Sequence, residues 1–271
     1  MKVKINPEPM GELIDTLATD VTEFIEREPR LFFNECDMQV RLCAHLHSTK
    51  HYRAVIPEYR IPLAELVSRG VSGTWDGRKW IMSQVFPWSN DIFADIVVES
   101  HGQYACVELK YATARLRDSL MLFDEPLRGN EEIIKTQAAS NLVMYNYWKD
   151  VRRIEVIAEK FHNVAGGVAL LVTNDNSYWD KPRTGAKYLP FSTHEGREVH
   201  PGTLAWNGQV SSEILKSHMP FHISGCYGCN WRPAGGTAVS RKGDRFKYIP
   251  VSYPHLRAHQ TPEEGGGRSL V

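Results

Sequence analysis

The chain has 271 residues, 42% of them apolar and 24% charged, with 32 basic and 32 acidic side chains and a formal net charge of zero. That balance fits one large globular domain, or a domain with a sizeable elaboration, and argues against a generic electrostatic coat for nucleic acid, which needs a strongly basic surplus. No run approaches the roughly twenty apolar residues of a membrane span. The first residues lack a signal peptide's apolar stretch, and five scattered cysteines favour a reducing cytoplasm over a disulfide framework.

The spacing of Leu13, Ile14, Leu17, Val21, Phe24 and Ile25 predicts an amphipathic helix from Pro9 to Glu28, stopped by Pro29. A second helix is expected from Asn34, a good N-cap, to Ser48, with Glu35, Met38, Leu42 and Leu46 on one stripe. A first-turn acid such as Glu35 is favoured by the helix dipole alone. Tyr52 to Pro62 reads as a strand that Pro57 pushes towards a sheet edge. Val67 to Asn90, with its glycines and Trp75, Trp80 and Trp88, reads as an irregular excursion whose aromatics more often pack together than stack bases.

Asp91 to Thr113 is the most informative stretch. Asp95 is expected to open a strand, Ile96–Val98; Ser100 to Gln103 makes a tight turn; Tyr104–Val107 forms the return strand and runs into Glu108-Leu109-Lys110. Side chains alternate along a strand, so Glu108 and Lys110 share a face and Leu109 takes the other. The hairpin's length brings Asp95 back beside Glu108. Burying such charges costs several kcal/mol unless they are paired or hold a metal. Carboxylate oxygens suit Mg²⁺ or Mn²⁺, and the ammonium suits a phosphate or an attacking water. A bare E-x-K is common and usually a structural ion pair; the aspartate, the glycine turn and the apolar lead-in together favour a site.

Asp95 followed by Glu108-Leu109-Lys110 on the next strand resembles the PD-(D/E)xK nuclease superfamily, the restriction-endonuclease-like fold. The resemblance covers roughly Leu31 to Asn174 and departs from the usual pattern in having Ala94, not proline, before the aspartate. It implies an α/β fold, a central mixed sheet flanked by helices, with metal-dependent phosphodiester hydrolysis at its edge. By that likeness Asp95, Glu108 and the Leu109 carbonyl would hold Mg²⁺ or Mn²⁺, and Lys110 would position and activate the attacking water. Glu35 would complete the metal site, with Glu58 ranked below it. DNA is the expected substrate, because most members cut DNA; no residue excludes RNA.

Beyond the motif, Arg115, Arg117 and Arg128 are well placed for phosphate contacts, and Lys135 joins them, although a solvated surface explains each as well. Glu131 to Val156 is the longest expected helix, with Ile134, Ala138, Leu142, Tyr145 and Trp148 on its apolar face and Gln137 on or beside it. A glutamine there is often an ordinary buried hydrogen-bonder; by the resemblance it would orient the water or the scissile phosphate. Arg152 and Arg153 are expected to end this helix, where positive charge complements the dipole. Gly166 to Asp175 reads as a buried strand and turn.

From Asn176 to Pro254 short strands alternate with Gly, Pro and Asn, extending the sheet or forming a β appendage. Arg241, Lys242, Arg245 and Lys247 form the densest basic cluster, by default a surface loop and otherwise a substrate groove. The expected division is an N-terminal helix at 1–30, a nuclease-like core at 31–175, a β-rich extension of the same domain at 176–256 and a disordered tail at 257–271. Cys226-Tyr227-Gly228-Cys229 lacks a second C-x-x-C, so zinc would need ligands borrowed from His218 or His222. The segment from His194 to His200 places its histidines too far apart for a zinc-protease helix, and no serine-hydrolase, Walker A or dinucleotide motif is present.

The combined expectation is a cytoplasmic Mg²⁺- or Mn²⁺-dependent nuclease, an endonuclease on DNA, with a homodimer or a protein partner left open. The rival is a non-cutting scaffold or binding module on the same fold. On the first reading Glu108→Ala abolishes cleavage and leaves the fold intact.

Overall fold

The computed structural model describes residues 10–82, 87–88, 90–117, 121–123, 125–126, 132–136, 139–235 and 246–254. The first helix, α1, spans Met10–Arg27 and buries Leu13, Ile14, Leu17, Val21, Phe24 and Ile25. The second, α2, spans Glu35–Thr49. Asn34 caps it by accepting the Asp37 N–H at 2.8 Å, and Met38, Leu42 and Leu46 are fully buried beneath it. Both helices lie where the apolar spacing places them.

Among the described residues the central sheet has six strands: β1 (Ala54–Ile61), β2 (Ile92–Ser100), β3 (Gln103–Ala112), β4 (Val164–Thr173), β5 (Arg232–Pro233) and β6 (Lys247–Pro254). Their order is β1-β2-β3-β4-β6-β5, and every neighbouring pair is antiparallel except β3 and β4. A parallel pair needs a long crossover, and the chain between Ala112 and Val164 supplies it with a third helix. A short six-residue helix at Leu63–Ser68 follows β1, and the crossover helix, α3, spans Ser140–Lys160. It covers one sheet face through Trp148, Val151, Ile154 and Ile157, while α1 and α2 cover the other against Val107, Leu109, Val168 and Leu170. With both faces covered, β4 is buried at every residue, which explains its unbroken apolar run. At Gly167 a Cβ would run into the Cys106 carbonyl of the parallel neighbour, so only glycine lets β4 and β3 approach here.

Several expectations need correction. Strand β2 begins at Ile92, not Asp95, because it already pairs with β1 from Ile61↔Ile92 onward; only its pairing with β3 starts at Ile96. The helix expected from Glu131 starts at Ser140, since Glu132–Ile134 is a short strand paired with Leu116–Arg117. It also continues to Lys160, so Arg152 and Arg153 lie in its interior and do not cap its end. The hairpin turn is as expected, with both central residues left-handed, His101 at φ 51° and Gly102 at φ 80°. In the C-terminal third, β5 and β6 extend the main sheet, and two small pairs, Gly202–Leu204 with Phe221–Ile223 and Arg197–Val199 with Tyr227–Cys229, pack beside it. The tail at 257–271 lies outside the described residues. No helix among the described residues is long and apolar enough to cross a membrane.

Candidate active site at the fork of the central sheet

Strands β2 and β3 pair from the turn up to Ile96↔Val107 and then part, β2 staying with β1 and β3 with β4. At the parting point the backbone loses its ladder partners, and a side chain takes one over: Asp95 Oδ2 accepts the Leu109 N–H at 2.6 Å. The strand is also irregular here. Ile92 and Ala94 pack on the α3 side but Ile96 and Val98 on the other, so the alternation breaks at Asp95. On β1, Pro57↔Ile96 and Tyr59↔Ala94 flank Glu58, which has φ 51°. Gln39 of α2 braces the irregularity, its Nε2 donating to the Asp95 carbonyl at 2.7 Å and to Glu58 Oε1 at 2.8 Å. A non-glycine residue at positive φ beside a re-aimed acid is the type of local strain that clusters at functional sites.

On β3 the expected alternation holds. Glu108 and Lys110 face α3, whereas Leu109 and Tyr111 face α1 and α2. The Glu108 side chain has no exposed surface, and its Oε2 accepts from Arg153 Nη1 at 2.6 Å while Oε1 has no hydrogen-bond partner. The same Nη1 donates to the Phe93 carbonyl at 2.8 Å, and Nη2 lies 3.2 Å from Asp150 Oδ1. Lys110 Nζ lies 2.8 Å from Asp150 Oδ2, 2.9 Å from the Leu109 carbonyl and 3.9 Å from Glu35 Oε1. Glu35 reaches in from the first turn of α2, and its Oε2 accepts the Tyr111 N–H at 2.9 Å. Four acids, Glu35, Asp95, Glu108 and Asp150, thus share the fork with two cations, Lys110 and Arg153, a sum of −2 when all are ionised.

The titration behaviour follows first from burial and then from the neighbouring charges. Burial, with Asp150 and Glu35 nearby, pushes Asp95 up to about 6 against the pull of Lys110 and the Leu109 amide. Burial pushes Glu108 well above the usual carboxylate range, with Asp150 and Asp95 adding to it and Arg153 opposing. Burial works against the charge on Lys110, but Asp150 and Glu35 outweigh it and hold the ammonium more firmly protonated than usual.

Asp95, Glu108, Leu109, Lys110 and Glu35 are therefore brought together. Gln137 lies outside the described residues, as do Arg128, Arg241 and Lys242. Arg115 is exposed and paired with Glu132 at 2.7 Å, Arg117 sits on the adjacent short strand, and Lys135 is exposed with its carbonyl accepting from Thr113 Oγ1 at 2.9 Å. Lys247 lies over the Trp179 ring at 4.6 Å. Asp150, Arg153 and Gln39 are site residues that the sequence reading missed. The available signal was Asp150 and Arg153, one helical turn apart among Tyr147, Val151 and Ile154 on a buried face; ending the helix at Val156 disguised Arg153 as a terminal charge.

Among the described residues no three His, Cys, Asp or Glu side chains stand in a ready-made metal cage. The chemistry of the fork nevertheless fits a hard divalent cation. Its donors are all oxygen, it carries surplus negative charge, and Glu108 Oε1 is buried without a partner. Lys110 and Arg153 stand among those oxygens. Elsewhere, Cys226 is exposed and Cys229 buried, and among the described residues they belong to no group of three or more His, Cys, Asp or Glu side chains. Comparison with protein-family models, with curated proteins and with solved structures gives no match.

Proposed function

We propose that the chain is a divalent-metal-dependent nuclease on a restriction-endonuclease-like core, with the sheet fork as its active site. One observation carries the reading: Asp95, Glu108, Lys110 and Glu35, from three separate elements, meet where two strands part, and acids outnumber cations there. The order α2, β1, the β2–β3 hairpin, α3 and β4 supports the same core. Mg²⁺ or Mn²⁺ on Asp95, Glu108, Glu35 and the Leu109 carbonyl would supply Lewis-acid polarisation of the phosphate and a lower pKa for the attacking water. Lys110, paired with Asp150 and facing Glu35, would orient the water and offset charge developing on the phosphoryl oxygens. Gln39 fixes the Asp95 backbone, so the carboxylate is oriented before substrate arrives. DNA is the substrate proposed first, cut internally, in the cytoplasm.

A second reading, a non-cutting scaffold, draws on the fact that Glu108 and Lys110 are already paired, with Arg153 and Asp150. A metal site gains stability with added metal, about 2.7 kcal/mol at a hundred times Kd, whereas a structural ion pair gains nothing specific.

The deciding experiment incubates the protein with supercoiled plasmid, linear duplex, single-stranded DNA and RNA in Mg²⁺, Mn²⁺ or EDTA, beside Glu108→Gln. The glutamine variant replaces the alanine one because it keeps the volume of a fully buried side chain and an oxygen that can accept from Arg153 Nη1. Metal-dependent cutting that falls to background in Glu108→Gln is the expected result. Equal cutting by the variant, or cutting in EDTA, overturns the assignment.

A further inference from the structure

We infer that Arg153 is a positioning residue with two stations: it holds Glu108 as the side chains stand, and yields Glu108 to a divalent cation while remaining on Asp150. The inference rests on the metal-site reading above.

The ion pair is not closed. A fork-to-fork arginine–carboxylate pair uses both carboxylate oxygens and two guanidinium N–H groups. Here one nitrogen, Nη1, serves both Glu108 Oε2 and the Phe93 carbonyl, and the Glu108 Oε1 and Arg153 Nε atoms are buried without partners. Two unsatisfied buried atoms in one contact is a poor design for a permanent salt bridge, since each unmet polar group is costly. It suits an acceptor that takes another ligand. Nor would release strand the guanidinium. Asp150 Oδ1 already lies 3.2 Å from Nη2, the Phe93 carbonyl stays in reach, and the face of Trp88 is 6.0 Å from the guanidinium carbon. Asp150 can keep both cations because Lys110 binds its other oxygen. With all four acids ionised, as metal ligation requires, a divalent ion taken in exchange for one bond of Arg153 also cancels the −2 surplus of the fork.

The prediction is a gain, which a merely structural arginine would not give: removing the resident cation should tighten metal binding. Mn²⁺ is titrated calorimetrically into the wild type and Arg153→Met at fixed pH, and Mg²⁺ into the ¹⁵N-labelled wild type while the Arg153 Nε–H signal is followed. The expected outcome is at least about tenfold tighter Mn²⁺ binding by Arg153→Met, together with a Mg²⁺-dependent shift of the arginine signal. If Arg153→Met does not fold, the wild-type spectra decide alone. Metal binding with an unmoved arginine signal, or with equal or weaker affinity in Arg153→Met, overturns the exchange and leaves the metal site standing. No metal binding by the wild type overturns the metal site itself, and the exchange with it.

Discussion

Asp95→Asn isolates the electrostatic cost of the fork. In the wild type the carboxyl is pushed from its ordinary 3.8 to about 6, so folding favours its protonated form. The sign follows directly. Below pH 4 Asp95 is protonated in both states and contributes nothing; from pH 4 to 6 the unfolded chain ionises first and folding loses stability; above pH 6 the loss is constant. A shift of roughly two units corresponds to about 3 kcal/mol. Asparagine is isosteric, can still accept the Leu109 N–H, and does not titrate. Urea unfolding of both proteins in EDTA, from pH 4 to pH 8, should therefore show Asp95→Asn gaining up to about 3 kcal/mol on the wild type as pH rises, a midpoint difference on the order of 1 M. On the proposed metal site, added Mn²⁺ should reverse the ranking, because only the wild type would have the full ligand set. A stability difference that is the same at pH 4 and pH 7 would refute the claim that Asp95 sits in a largely buried, negatively charged fork.

Two further substitutions separate chemistry from folding. Lys110→Met should abolish cleavage yet retain calorimetric Mn²⁺ binding, losing about 1–3 kcal/mol with the Asp150 contact; a variant that cuts normally would remove Lys110 from the mechanism. Gly167→Ala, remote from the fork, should destabilise by about 1–3 kcal/mol, because its methyl collides with the Cys106 carbonyl and Ile154; unchanged denaturant midpoints would contradict the close approach of β3 and β4.

The parts of this fold legible in the sequence are those whose patterns are local. Leu17, Val21 and Phe24 announce α1 by spacing alone, and the hairpin is announced by β-branched runs on either side of His101-Gly102. The Glu108–Lys110 face follows from strand alternation, which holds along β3. Alternation fails on β2, where Ile96 and Val98 change sides relative to Ala94, so the orientation of Asp95 depends on Gln39 and Glu58, 56 and 37 residues away in sequence. No periodicity reports a tertiary brace of that kind. The helix α3 misled in the opposite direction. Glu132, Ile133 and Ile134 continue a helical apolar spacing into Leu142 and Tyr145, but pairing with Leu116–Arg117 wins that segment for a strand.

The same helix shows why the site was half visible. A carboxylate motif on a hairpin names acids, but its electrostatic state depends on whatever packs over the opposite end of the crossover. Here α3 brings Asp150 and Arg153 down on the Glu108 face, adding one acid and one cation and leaving the net charge of the cluster unchanged. What they change is its distribution: Lys110 is paired with Asp150, while Glu108 is given a partner that occupies only one of its oxygens. A helix bearing apolar residues at positions 150 and 153 would have left Glu108 buried and unpaired, at a cost of several kcal/mol. The acid–arginine pair on α3 therefore makes the motif compatible with a folded core, and its incomplete closure leaves one Glu108 oxygen without a partner.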